Sequence, residues 1–297
     1  MKTRKIIAAL LALACIVALA ACGTTPPEET ASPDLTTPGL TSPTPDEVLP
    51  DEALPDDTTP DTGDLAYILA KGQLIIGVTE YEPMNFKDDS GAWTGFDTEF
   101  AEAVCAILGV EPVFQEIDWN SKETELKGRT IDCIWNGLTV DDDRRLNMDF
   151  STPYLSNEQV VVIMADVSDS VTDKGSLGGF TVAVEEGSAG ETAAAELDGA
   201  IVIPVQTQAA ALLEVKSGTA DAAVIDSTMA FAMTGAGTEY AELAVFDLSL
   251  TAEEYAIGFR LGSDVTMAVD NAIATLLADG TLEAIAEKYG LNDRLVK

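Results

Sequence analysis

Gly128-Arg129-Thr130-Ile131-Asp132-Cys133-Ile134-Trp135-Asn136 and, further along, Gly218-Thr219-Ala220-Asp221-Ala222-Ala223-Val224-Ile225-Asp226 share one construction: a helix-stopping glycine, an aspartate, then an apolar strand ending on a polar residue. A helical stretch precedes each, running through Leu126 in the first case and from a cap at Thr207 through Val215 in the second. Alone the parallel is weak, because any helix with a glycine C-cap leading into a strand produces it. The flanks strengthen it. Upstream, residues 74–78 read as a strand, Asp97 is placed to cap a helix, and Phe100, Val104, Ile107 and Leu108 recur at helical spacing before Gly109. Residues 113–117 are the next strand. This βαβαβ order calls for a parallel sheet.

The pattern restarts after Tyr154, with strands over 159–164, 180–184 and 201–205 and an alanine-rich helix over 191–197. The end of the chain supplies a strand over 255–259 and helices over 265–277 and 282–289, the last closed by Gly290. An α/β fold of two similar lobes accounts for this: residues 65–158 with 250–297 form the first, and 159–249 the second. The chain then crosses between lobes twice, near 156–159 and 248–254. Paired crossings make a hinge with a ligand cleft beside it.

Composition narrows the function. Lys2, Arg4 and Lys5 precede an uncharged apolar run over 6–21 that is shorter than the ~20 residues of a membrane span, which reads as a secretory signal. It closes on Leu19-Ala20-Ala21-Cys22-Gly23, resembling a lipobox, with Cys22 as the lipidated N-terminus that anchors the protein to the cell membrane. Residues 23–64 hold nine prolines, ten threonines and eleven acids with no Lys or Arg, the composition of a solvated tether. The body beyond carries 40 acidic against 13 basic residues, so binding to nucleic acid is opposed by repulsion. With no histidine in the chain, histidine metal sites and Ser-His or Cys-His nucleophiles are excluded. Cys105 and Cys133 fall on a helix and an apolar strand, and either a disulfide or two buried thiols fits an exported protein.

The order of motifs resembles the family-3 extracellular solute-binding proteins, the amino-acid receptors of ABC importers with the type 2 periplasmic-binding fold. The pieces are Gly77-Val78-Thr79 to Tyr81-Glu82-Pro83; Gly95-Phe96-Asp97-Thr98-Glu99-Phe100-Ala101; Asp132-Cys133-Ile134-Trp135-Asn136-Gly137-Leu138-Thr139; Arg144; Asp149-Phe150-Ser151-Thr152-Pro153-Tyr154; Gly187-Ser188; and Asp279-Gly280-Thr281-Leu282.

An α-amino acid presents a carboxylate, an ammonium and a variable side chain, and each needs a partner when desolvated. A carboxylate is best met by the planar fork of an arginine, and the stretch 137–144 supplies a glycine turn, the Thr139 hydroxyl and Arg144. The resemblance makes Arg144 the carboxylate clamp; the residues alone also allow a surface pair with Asp141, Asp142 or Asp143. It places Asp226 as the ammonium acceptor, aided by the Gly137 carbonyl, where the residue type also suits an N-cap. Tyr81 and Trp119 align with two aromatics that sandwich the ligand, where core packing is the other reading. Asn136, Ser188, Ala189 and Gly190 complete the expected site, the last two through backbone alone. Trp135 is expected in the core, and Arg145 in solvent. Glu80 is expected on the surface, with reach toward a cationic ligand as its other reading.

The resemblance implies binding of a small polar amino acid by hinge closure, followed by docking on a membrane permease. It implies a monomer with no catalytic residue, cofactor or metal. The rival reading is a dehydratase of the same fold acting on a prephenate-like acid, with a cleft carboxylate as general acid. A sensory module is disfavoured because no transmembrane or signalling segment follows Lys297.

Overall fold

The computed structural model describes residues 63–296, so the signal segment, Cys22 and the tether up to residue 62 lie outside the described residues. The strands are β1 Gln73–Val78, β2 Phe86–Lys87, β3 Trp93–Thr94, β4 Glu111–Glu116, β5 Cys133–Ile134 and β6 Met148–Phe150, then β7 Leu155–Met164, β8 Thr181–Glu185, β9 Ile201–Val205, β10 Ala222–Asp226, β11 Leu243–Tyr255 and β12 Gly258–Arg260. The helices are α1 Asp64–Lys71, α2 Phe96–Leu108, α3 Lys122–Lys127 and α4 Asp142–Arg145, then α5 Ala189–Ala195, α6 Gln208–Ser217, α7 Ser227–Met233, α8 Val265–Ala278 and α9 Thr281–Lys288.

Two five-stranded sheets result, in the orders β4-β1-β5-β12-β6 and β11-β7-β10-β8-β9, one in each lobe. In the first, β1 runs parallel to β4 and β5, as the βαβαβ order requires, and β12 closes antiparallel to β5 and β6. In the second, β8 runs parallel to β9 and β10. Returning β12, α8 and α9 to the first sheet makes the chain pass between lobes twice. Both passages lie in one antiparallel ribbon, β7 against β11, paired from Leu155↔Tyr255 to Met164↔Leu243 with irregularities between Phe246 and Thr251. The strand expected over 255–259 is thus two: β11 runs through the second crossing to Tyr255, and β12 begins at Gly258.

In the first lobe, α2 packs Phe100 edge-on to Trp135 at 4.9 Å and to Tyr154 at 5.4 Å, all fully buried or nearly so. Trp135 is therefore a core residue. Cys105 and Cys133 are buried free thiols, and burial pushes the Cys105 thiol up to about 12.

Two expectations are corrected. Asp97 is not an N-cap: α2 starts one residue earlier behind Gly95, without a side-chain cap, and Asp97 is fully buried. An aspartate at the head of a helix usually reaches for the free N–H groups of the first turn; here the helix start is packed against the 137 turn, and the carboxylate serves that turn. Asp64, expected as the end of the tether, instead opens α1 and pairs with Arg260 at 2.7 Å and Arg129 at 3.1 Å.

Candidate functional site

The candidate residues come from loops that follow the carboxyl ends of parallel strands, where an open α/β sheet presents its ligands. Ile134, the last residue of β5, leads into Asn136, Gly137 and Thr139; β4 leads into Trp119; β8 leads into Ser188 and Ala189; Asp226 is the last residue of β10. Those seven residues and Arg144, with Glu185 and Gln208, line one small cavity between the lobes.

Arg144, only 7% exposed, sits in the short helix α4, whose N-cap Asp141 accepts the Arg144 N–H at 2.7 Å. The Asp141 carboxylate also pairs with the guanidinium Nε at 3.2 Å, while one terminal nitrogen donates to the Thr139 carbonyl at 2.7 Å. The acidic neighbour therefore does not draw the guanidinium to the surface; it holds the fork in the cavity wall. Arg145 is exposed and stacks over Phe150.

Asp226 is 6% exposed and gives no side-chain cap to α7. Its Oδ1 accepts from Asn157 at 2.7 Å and from Gln159 at 2.6 Å, and its Oδ2 accepts from Gln208. Three neutral amides stabilise the carboxylate without cancelling its charge, which leaves it able to receive an ammonium. The same Asn157 and Gln159 amides donate to Glu253 of the β11 crossing at 2.6 and 2.9 Å. Burial, with the field of Asp226 second, pushes Glu253 up to about 8.

Gly137 has φ +58, and a Cβ there would lie 2.6 Å from the Tyr81 ring and 3.1 Å from that of Tyr255. Its N–H donates to Asp97 Oδ2 at 2.7 Å. Burial pushes the Asp97 carboxyl up to about 7 against the opposing pull of this N–H and of Tyr154 and Trp135 beside it. The Asn136 amide is committed to Thr79 and Asn85, so its part is to tie three loops together.

Tyr81 and Gly190 stand back from the cavity. The Tyr81 hydroxyl bonds that of Tyr255 at 2.7 Å, and the ring packs against Gly137. At Gly190 a Cβ would fall 2.7 Å from the Val224 carbonyl, so the missing side chain lets α5 approach β10. Ser188 Oγ caps α5 by accepting from Glu191 N at 3.1 Å. Glu80 is exposed and pairs with Lys87 at 3.1 Å, away from the cavity. The sequence reading did not include Glu185, Gln208, Asn157, Gln159 or Lys122.

The cleft is closed. Lys122 Nζ donates to the Gly187 carbonyl of the opposite lobe at 2.8 Å, Arg144 reaches the same oxygen at 3.4 Å, and Asn120 donates to Glu186 at 3.0 Å. Lys122 is 5% exposed and lies over the Trp119 ring at 4.8 Å. Burial, then the charge of Arg144, lowers its ammonium to about 8.

Known proteins align with this geometry over most of the body. L-cystine-binding protein TcyJ of Escherichia coli (strain K12) is 29% identical over 76% of this chain and 86% of its own. Arginine-binding extracellular protein ArtP of Bacillus subtilis (strain 168) is 28% identical over 74% of this chain and 86% of its own. The crystal structure of the ancestral amino acid-binding protein AncCDT-1, a precursor of cyclohexadienyl dehydratase, superposes with a TM-score of 0.70 at 32% identity, covering 76% of this chain and 98% of that one. The profile of one family matches residues 74–292, and on that span the chain belongs to the bacterial extracellular solute-binding proteins, family 3.

Proposed function

We propose that the protein captures a polar α-amino acid between its lobes and presents the closed complex to an ABC permease. One observation carries this reading: a buried guanidinium of the first lobe and a buried carboxylate of the second line the same small cavity, each oriented by its own hydrogen bonds. Arg144 meets the ligand carboxylate as a fork, with the first turn of α5 at Ser188 and Ala189 beside it. Asp226 and the Gly137 carbonyl receive the ammonium, and Trp119 walls the side chain. Tyr81 acts from behind, by fixing Gly137. The ligand joins two lobes that Lys122 and Asn120 already bring together, and closure is the state the permease reads.

No chemical step is needed, so Asp226 and Arg144 act as binding groups. The likeness to a dehydratase precursor keeps turnover of a prephenate-like acid as the rival reading, and a product assay with such acids separates the two. The family acts outside the cytoplasm. Attachment through lipidated Cys22, with residues 23–62 as a tether and the body as a monomer, rests on the sequence alone.

A thermal-shift screen of the protein against the standard amino acids and cystine tests the reading. At about 100 times its dissociation constant a ligand adds about 2.7 kcal/mol of stability. The shift is expected with wild type and lost in both Arg144→Ala and Asp226→Ala; a shift that survives either substitution refutes the assigned roles.

A further inference from the structure

We infer that Glu185 selects a cationic side chain, so that the cargo is an amino acid bearing a guanidinium or a side-chain ammonium; this rests on the amino-acid reading above. Glu185 is the last residue of β8, directly before the turn that carries Gly187 and Ser188. It is 4% exposed and lines the same cavity as Arg144 and Asp226. Its carboxyl makes no hydrogen bond or ion pair among the described residues, and its oxygens are not sealed into the protein interior, so they open on the cavity. A buried carboxyl that the protein leaves unpartnered costs stability, and a ligand group offers the missing partner.

The neighbours fix what kind of group that is. Arg144 is held by Asp141 and the Thr139 carbonyl, Lys122 by the carbonyls of Trp119 and Gly187, and Asp226 by three amides. With the ligand carboxylate on Arg144 and its ammonium on Asp226, Glu185 remains for the side chain. The charges around the cavity point the same way. Asp226, Glu185 and Glu253 stand against Arg144 and Lys122, and Asp141 already offsets Arg144. Burial keeps Glu185 and Glu253 protonated near neutral pH; a zwitterion leaves Glu185 in that state, whereas a ligand with one more positive charge gives an ionised Glu185 its partner.

Glu185 faces Asp226 and Asp118, which hold its proton on, and Lys122 and Arg144, which pull it off; burial outweighs them all and pushes the carboxyl up to about 8. It is thus protonated near neutral pH, and a cation docking against it expels that proton. Capture of cationic cargo is therefore linked to proton release, and capture of neutral cargo is not.

Calorimetric titration of the protein with arginine, lysine, ornithine, glutamine and citrulline, in buffers of different ionisation enthalpy, reads both consequences. A charge-assisted contact corresponds to roughly tenfold or more in affinity. Wild type is expected to bind at least one cationic ligand about tenfold or more tightly than the neutral ones, with proton release near pH 7; Glu185→Gln, of the same shape, loses that advantage and the proton release. Preference for neutral ligands, cationic binding without proton release, or undiminished cationic preference in Glu185→Gln overturns the inference while amino-acid binding stands. Absence of binding by any amino acid overturns the functional reading and the inference with it. The proton count is taken on wild type, so that arm holds even where the variant folds poorly.

Discussion

Replacing Asp97 by asparagine should make the protein's stability less dependent on pH, by an amount the structure sets. Asp97 is fully buried, one oxygen accepts the Gly137 N–H and the other has no partner among the described residues. Burial carries its carboxyl from 3.8 to about 7. Below the lower value the folded and unfolded chains both hold the proton. Between the two values only the folded chain does, so rising pH favours unfolding by about 1.4 kcal/mol per pH unit. Above the upper value both are ionised and the loss levels off. Asparagine fills the same volume, can still accept from Gly137, and has no charge to desolvate. The stability of Asp97→Asn relative to wild type should therefore rise by about 3 kcal/mol between about pH 5 and pH 8. Glu185 and Glu253 are common to both proteins and cancel in the difference. Urea unfolding at a series of pH values, followed by tryptophan fluorescence, gives the two curves. A difference that stays constant with pH, or shrinks as pH rises, would refute the assignment of a buried, proton-holding carboxyl behind the binding turn.

Two further outcomes are expected. Arg260, 10% exposed at its side chain, pairs with Asp64 at 2.7 Å and donates to the Ile131 carbonyl at 2.8 Å, with Asp132 alongside; Arg260→Met should cost about 1–3 kcal/mol in urea unfolding, because it strips a shared charged partner from two buried carboxylates and leaves Asp64 to Arg129 and Asp132 to Lys71, and unchanged stability would count against it. Lys122→Met removes the ammonium that bridges to the Gly187 carbonyl, so ligand-free protein should scatter X-rays as a more extended particle than wild type; identical scattering curves would show that this bond does not hold the cleft shut.

The elements with strong periodicity were legible in the sequence, since the apolar stripe of α2 and the runs that became β1, β8 and β10 needed only local spacing. The Thr207 cap was also legible, and it accepts from Ala210 N at 3.0 Å. What escaped depended on packing between distant segments. The sequence around Asp97 is that of a capped helix, and only the 137 turn folded against it shows where the carboxylate goes. Tyr81 and Trp119 read alike as aromatics in loops, but Gly137 lies between Tyr81 and the cavity in the sense that the ring fills the space its Cβ would need. Helix α1 was missed because it spans only Asp64–Lys71, directly after proline-rich chain. Glu185 left a signal that was not used: an acid closing an apolar strand just before a glycine turn, at the carboxyl end where parallel strands present ligands. Asn157 and Gln159 gave none, because their role depends on β7 lying beside β10.

The ribbon of β7 and β11 has a mechanical consequence. Its rungs run unbroken from Thr251↔Gln159 to Tyr255↔Leu155, and a two-stranded ladder bends across its face far more readily than its strands slide past each other. A hinge motion of the lobes would therefore turn about this ribbon as a single axle. Gln159 and Asn157 belong to that axle, Glu253 is the rung opposite Asn157, and Asp226 is the rung opposite Gln159. Points on an axle travel least. In such a motion the acidic pole of the chamber would stay assembled, while Arg144 on one arm and the Gly187 turn on the other would make the long swing.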